Sequence, residues 1–205
     1  KTLIIIVSNA LNAMLPTTRS RCRRLMLSPL PDGDVAGLVA RAHPDTLPAD
    51  LDLVLRLAEG SPGRAIEFVE AGGAELYRNV AKVLAVLPEV NGENLHALAA
   101  SWGGRKPKEG ERDPFRTGTD LLERWIDRAI RAANDAPGLK EIVPGDPEAG
   151  RIFVARIGVE AAFRRREAVR RLIHLENVLN LDRKQVLIDS VHTLAFGEGL
   201  ERRRA

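Results

Sequence analysis

At 205 residues the chain is long enough for one sizeable core or two small ones, and 44% hydrophobic against 29% charged residues reads as a soluble globular protein. Two Trp, one Tyr and five Phe leave the core to aliphatic helix faces, and a single cysteine excludes both an internal disulfide framework and a cysteine-rich zinc site. A net charge of +3 is small for a dedicated nucleic-acid binder, and nothing reads as a secretory signal or a membrane span, so the expectation is a cytoplasmic chain with no membrane partner.

In chain order, Lys1-Thr2 leads into Leu3-Ile4-Ile5-Ile6-Val7, a β-branched run of the kind that helices cover on both faces of a parallel sheet. No other stretch reads as a comparable strand. The run is therefore expected to pair between chains or with strands upstream, and the chain to be the C-terminal part of a longer protein. "LPTTRSRCRR", residues 15–24, then sets Arg19, Arg21, Arg23 and Arg24 around Cys22. That is the setting of a reactive thiol, but a lone cysteine in a cytoplasmic protein is more often a small packed hydrophobe, and packing is the expectation here.

Helical punctuation begins after the turn-rich "SPLPDGD", residues 28–34. Val35, Leu38 and Val39 mark one short helix. Pro48 opens a second, with Leu51, Val54, Leu55 and Ala58 at helical spacing until Gly60 stops it. Ser61 is placed to cap a third, with Pro62 at its first position and Gly72-Gly73 at its close. Further helices are expected over 74–87 and 95–100, followed by a Gly-, Pro- and charge-rich loop over 101–118. Leu121, Leu122, Trp125, Ile126, Ala129 and Ala133 give an amphipathic helix, and 134–150 read as a second loop. One long helix over 153–179 and a last one opened by Asp182 and Gln185 at capping-box spacing complete a bundle, before a polar tail from 198 onward. Val169, Leu172, Ile173, Leu175, Val178, Ile188 and Val191 spread around the circumference of these two helices. They are too many for one buried stripe, so this surface is expected to join other subunits.

No G-x-x-x-x-G-K-[ST], G-x-S-x-G or H-E-x-x-H motif occurs, and His43, His96, His174 and His192 show no metal-ligand spacing. What remains is a constellation: the apolar run ending in Ser8-Asn9, the Ser-Arg-Cys segment, and "LAEGSPGRAIEF" downstream. As a set, "IIIVSN", "LPTTRSRCRRLMLSPLP" and "LAEGSPGRAIEF" resemble the clamp-loader branch of the AAA+ ATPases. The similarity spans residues 4–68. It reappears at "LNLDRKQVLIDSVHTLA", residues 179–195, which is similar to the closing helix of that family's collar.

The resemblance implies a mainly α fold. Residues 1–27 would be a remnant of the AAA+ α/β core with one residual strand, 28–73 a three-helix lid, and 74–205 a helical collar for oligomerisation. It also implies roles. Arg21 matches the arginine finger that acts in trans on a neighbour's ATP site, Arg64 the sensor 2 arginine of the lid, and Ser8 and Asn9 the sensor 1 position, vestigial without the rest of the core. A guanidinium is permanently charged, planar and bidentate, so it can offset charge developing on a transferring phosphoryl group, an effect on the order of 10³ to 10⁵ in rate. No cofactor is implied in this chain; ATP and magnesium would sit on the neighbouring motor subunit. The implied partners are the motor ATPase subunit and delta, with the sliding clamp and primed DNA reached through the complex. The implied work is DNA replication within a DNA polymerase III holoenzyme, whose nucleotidyltransferase activity lies elsewhere. An α-helical nucleic-acid-binding module is the alternative. It would rest on residues 19–24, "RRREAVRR" at 164–171 and "RRR" at 202–204, but interleaved aromatics for base stacking are lacking.

Overall fold

Proline in the first turn opens five of the ten helices in the computed structural model of the chain, which describes residues 2–8, 14–102 and 113–197. The helices are α1 (Pro16–Arg21), α2 (Asp32–Ala42), α3 (Pro48–Ala58), α4 (Pro62–Glu70), α5 (Gly73–Leu84), α6 (Gly92–Trp102), α7 (Pro114–Ala133), α8 (Asp146–Ile157), α9 (Val159–Leu179) and α10 (Arg183–Phe196). The fold is mainly α. No strand forms among the described residues.

α2, α3 and α4 pack on one another, and α5 carries their core across to α7. α7 is the axis of the second half because its stripe of Leu121, Leu122, Trp125, Ile126, Ala129 and Ile130 is buried along its length, against α5, α8 and α9. The Trp125 and Phe153 rings meet at 5.8 Å between centroids, where α7 and α8 cross. α10 closes the bundle against α9 and α6. One hydrophobic core runs without interruption from Val35 on α2 to Ala195 on α10.

Several expectations are corrected. The helix proposed over 153–179 is two: Gly158, at φ 84 and ψ 149, breaks it between α8 and α9, a conformation open to glycine and costly to other residues. The loop expected over 134–150 gives way at Asp146 to α8. The loop over 101–118 ends sooner, because the Asp113 carboxylate caps α7 by accepting the Phe115 N–H at 3.1 Å and Pro114 takes the first position. Ser61 occupies the N-cap of α4, yet its hydroxyl makes no cap hydrogen bond. The Asp182 cap is present, accepting the Gln185 N–H at 2.8 Å; the Gln185 side chain donates instead to Asp189, so the capping box is not reciprocal. The tail from 198 onward lies outside the described residues.

The largest correction concerns the N-terminal run. Residues 2–8 carry no ladder, and Leu3 and Val7 are 84% and 93% exposed, because no second strand is present among the described residues to complete a sheet. α1 buries no residue at all. Leu30 fastens the chain to the body: its N–H donates to the Gly60 carbonyl at 2.9 Å. Gly60 sits at φ +79, and a Cβ there would lie 2.6 Å from Pro29, so this anchor requires glycine.

Candidate functional site

The Ser-Arg-Cys segment folds locally and on its own terms. Pro16 sets the first turn of α1, the Ser20 hydroxyl donates to the Thr17 carbonyl at 3.2 Å, and Arg19 and Arg21 stand in the last turn. Cys22 then turns the backbone out to φ −105, ψ 140. Contrary to the packed role expected of it, Cys22 is exposed and free, since residues 15–30 contribute nothing to the core.

Arg21 is exposed, and its guanidinium has neither an ion pair nor a hydrogen bond among the described residues; the same holds for Arg19, Arg23 and Arg24. Arg64 is exposed in the first turn of α4, also without a partner among the described residues. Ser8 is exposed, and Asn9 lies outside the described residues. No hydrogen bond or ion pair joins Arg21, Arg64 and Ser8 into one site among the described residues, and no group of His, Cys, Asp and Glu there is placed to hold a metal ion.

The second arginine cluster behaves in the opposite way. Arg166 forks onto Asp127, a bond that holds its pKa above the usual arginine range, and Arg170 reaches Glu123 at 3.6 Å and Glu167 at 3.4 Å. The contacts to Asp127 and Glu123 bind α9 to α7. Burial pushes the Glu123 carboxyl up despite the arginines beside it. Arg164 pairs with Glu160 one turn away, while Arg165, its pKa lowered by burial, donates to the Leu194 and Ala195 carbonyls at the end of α10. Four of the arginines offered as a nucleic-acid patch are thus engaged inside the molecule. Residues 202–204 lie outside the described residues.

Two buried networks have no counterpart in the sequence expectations. Arg183, 9% exposed, donates to Glu176 at 3.0 Å and in fork fashion to Asp113 at 3.1 and 2.8 Å, with its guanidinium 5.0 Å from the Phe115 ring centroid. This triad ties the starts of α7 and α10 to the end of α9. Burial opposes the charge on Arg183, but its bonds to Glu176 and Asp113 outweigh that and raise its pKa. In the other network, the Tyr77 hydroxyl donates to Asp146 at 2.9 Å, Arg128 donates to the same oxygen at 3.3 Å, and the Ile142 N–H donates to the other. Burial, reinforced by the charge of Asp146, pushes the Tyr77 phenol far up.

The apolar surplus of the last two helices is only partly external. Val169 and Val191 are fully buried, and Ile173 and Ile188 pack on the core, so α10 is a core helix. The exposed apolar residues gather at the end of α9 instead: Leu175, Val178 at 62%, Leu179 at 60%, and Leu181 beyond the left-handed Asn180. Comparison with known protein families, with curated proteins and with solved structures yields no match to this chain.

Proposed function

We propose that the chain is a clamp-loader subunit that resembles the C-terminal part of the delta-prime subunit of the bacterial DNA polymerase III clamp loader. On this reading α1 carries an arginine finger, α2–α4 form the lid, and α5–α10 form the collar through which the subunit assembles. The observation that carries the reading is the state of Arg21. It belongs to the Ser-Arg-Cys motif, and its guanidinium is exposed and unpartnered among the described residues, on a helix that buries nothing, while the arginines of α7 and α9 are largely engaged. A finger must be free at home to act elsewhere. Arg21 would reach the γ-phosphate of ATP held with magnesium by the neighbouring motor subunit, and there offset the charge that redistributes during hydrolysis. Arg64 would serve as a sensor 2-like arginine, with Ser8 and Asn9 vestigial. The apolar end of α9 supports a collar contact with an adjacent subunit, sharing the assembly with delta, the sliding clamp and primed DNA.

The test is the full-length protein assembled with its motor subunits. Arg21→Ala is expected to lower DNA-dependent ATPase at least about tenfold, about 1.4 kcal/mol of transition-state stabilisation, with assembly unchanged. Arg21→Lys is expected to recover only part of it, because an ammonium lacks the bidentate fork. An unchanged rate overturns the finger assignment. A loss confined to DNA affinity would favour the nucleic-acid module.

A further inference from the structure

Four helix ends meet around a groove of about 470 Å³: the C-terminal ends of α2 and α4 and the N-terminal ends of α3 and α5. Buried Val54 and Phe68 form its floor, and Leu47, 66% exposed, stands at its edge. We propose that this groove receives residues 23–27 of a second copy of the chain. The volume falls within the usual range of ligand sites, about 300–1,000 Å³, and suits a few side chains.

Charge selects the occupant. Asp45, Asp50 and Glu75 line the groove, with no lysine or arginine among its walls. Asp50 is matched by Arg78 at 2.7 Å and His43 by Glu70 at 3.5 Å, but Asp45 and Glu75 have no ion pair among the described residues. The helix ends do not supply the missing charge, because two positive N-terminal dipole ends are offset by two negative C-terminal ends. Two unmatched carboxylates above an apolar floor complement a segment that carries cations followed by aliphatic residues.

The chain itself carries that segment. Arg23 and Arg24 are exposed with no ion pair among the described residues, and the exposed Leu25, Met26 and Leu27 follow directly. In extended geometry, which the backbone adopts at Cys22, alternate residues share a face, and this sets Arg23 with Leu25 and Leu27. A molecule's own segment falls short of its own groove. Leu30 is held at Gly60, past the end of α3, while Leu47 precedes the start of that helix, about 16 Å away along its axis. Three residues of chain carry Leu27 only about 10 Å from Leu30. A second copy meets no such limit. The contact is heterologous, groove to segment, and small, so association is weak and the chain is monomeric when dilute. The inference does not depend on the clamp-loader reading, since neither Arg21 nor Arg64 takes part in it.

The experiment is sedimentation velocity of the full chain over a concentration series reaching about 1 mM, the scale of weak encounters. Reductant is present, so that a disulfide through the exposed Cys22 cannot imitate the contact. Self-association is expected, weakened at least about tenfold by Asp45→Asn with Glu75→Gln, and likewise by Arg23→Glu with Arg24→Glu. Leu47→Ser should weaken it too, although serine suits the N-cap of α3, and Glu93→Gln on α6 should leave it unchanged. Mixing the groove variant with the segment variant leaves one intact junction, so a heterodimer is expected at a concentration where neither variant associates alone. Thermal melts check that each variant is folded; if Glu75→Gln lowers the midpoint, Asp45→Asn, in the connection between α2 and α3, carries the same test. A chain that stays monomeric throughout the series overturns the proposal, as does equal weakening by Glu93→Gln. A mixture that forms no heterodimer also overturns it.

Discussion

The first thirty residues and the helical body obey opposite rules. In the body, apolar side chains reach one continuous core, and arginine after arginine meets a carboxylate or a carbonyl, from Arg56 on α3 to Arg183 on α10. In the N-terminal segment a run of five aliphatic residues stands in the open, α1 buries nothing, and four arginines find no partner among the described residues. Apolar exposure on this scale is unfavourable by roughly 25 cal/mol per Å² of surface left in water. The difference teaches that the body, apart from the exposed apolar end of α9, is largely satisfied from within, whereas the segment has the composition of something completed from outside.

Deleting α10 probes that self-sufficiency most severely. The helix buries Val186, Leu187, Val191 and Leu194, about 1.5–3 kcal/mol each against a whole-domain stability of about 5–15 kcal/mol. Truncation after Asn180 is expected to abolish the cooperative helical melt followed by circular dichroism. A chain that still melted cooperatively would show that α10 is dispensable to the core. Next in size is Arg183→Ala, which strands Glu176 at 2% exposure and Asp113 beside it; about 3–5 kcal/mol should be lost in denaturant titrations. Loss of under 1 kcal/mol would show that water reaches the triad.

Tyr77→Phe removes one hydrogen bond to Asp146 and leaves the others, so about 1 kcal/mol is expected. Tyr77 is the one tyrosine of the chain, which gives it a private signal. Because burial raises its pKa, the folded state keeps the phenol protonated while the unfolded chain releases the proton near about 10. The stability it contributes is therefore full below that value and is lost as pH climbs above it. Tyrosinate absorbance should rise together with loss of helicity. A rise near pH 10 with helicity intact would contradict the buried geometry. Ile5→Lys, on the other side of the comparison, should change stability by no more than about 0.5 kcal/mol. A larger loss would place the N-terminal run in the body's core after all.

Local signals were legible where one residue decides the backbone. Pro48, Pro62 and Asp182 open helices where the sequence says they should, because a fixed φ or a capping carboxylate acts within one turn. Gly158 was missed since apolar spacing continues across it, and periodicity does not register a single left-handed residue. Asp113-Pro114 carried a start signal that the charged stretch before it obscured. The Asp113–Arg183 pairing is 70 residues apart in the chain and leaves no local pattern. The run Leu3–Val7 carries the composition of a strand paired between chains or with strands upstream, and among the described residues it has no strand to pair with and forms no ladder. Arg21 was legible as a motif residue; that its guanidinium has no ion pair among the described residues became visible only with the structure.

Hydrogen–deuterium exchange, recorded on the chain alone and after mixing with the proposed partner, a clamp-loader motor ATPase subunit, bears most directly on the claim that the N-terminal segment is completed by a partner. Amides of residues 2–8 and 15–24 should exchange at near-unfolded rates in the free chain, while α7 and α10 are protected, and the segment should gain protection in the mixture with no change in α7. Protection of the segment in the free chain, or no gain on mixing, would contradict the account.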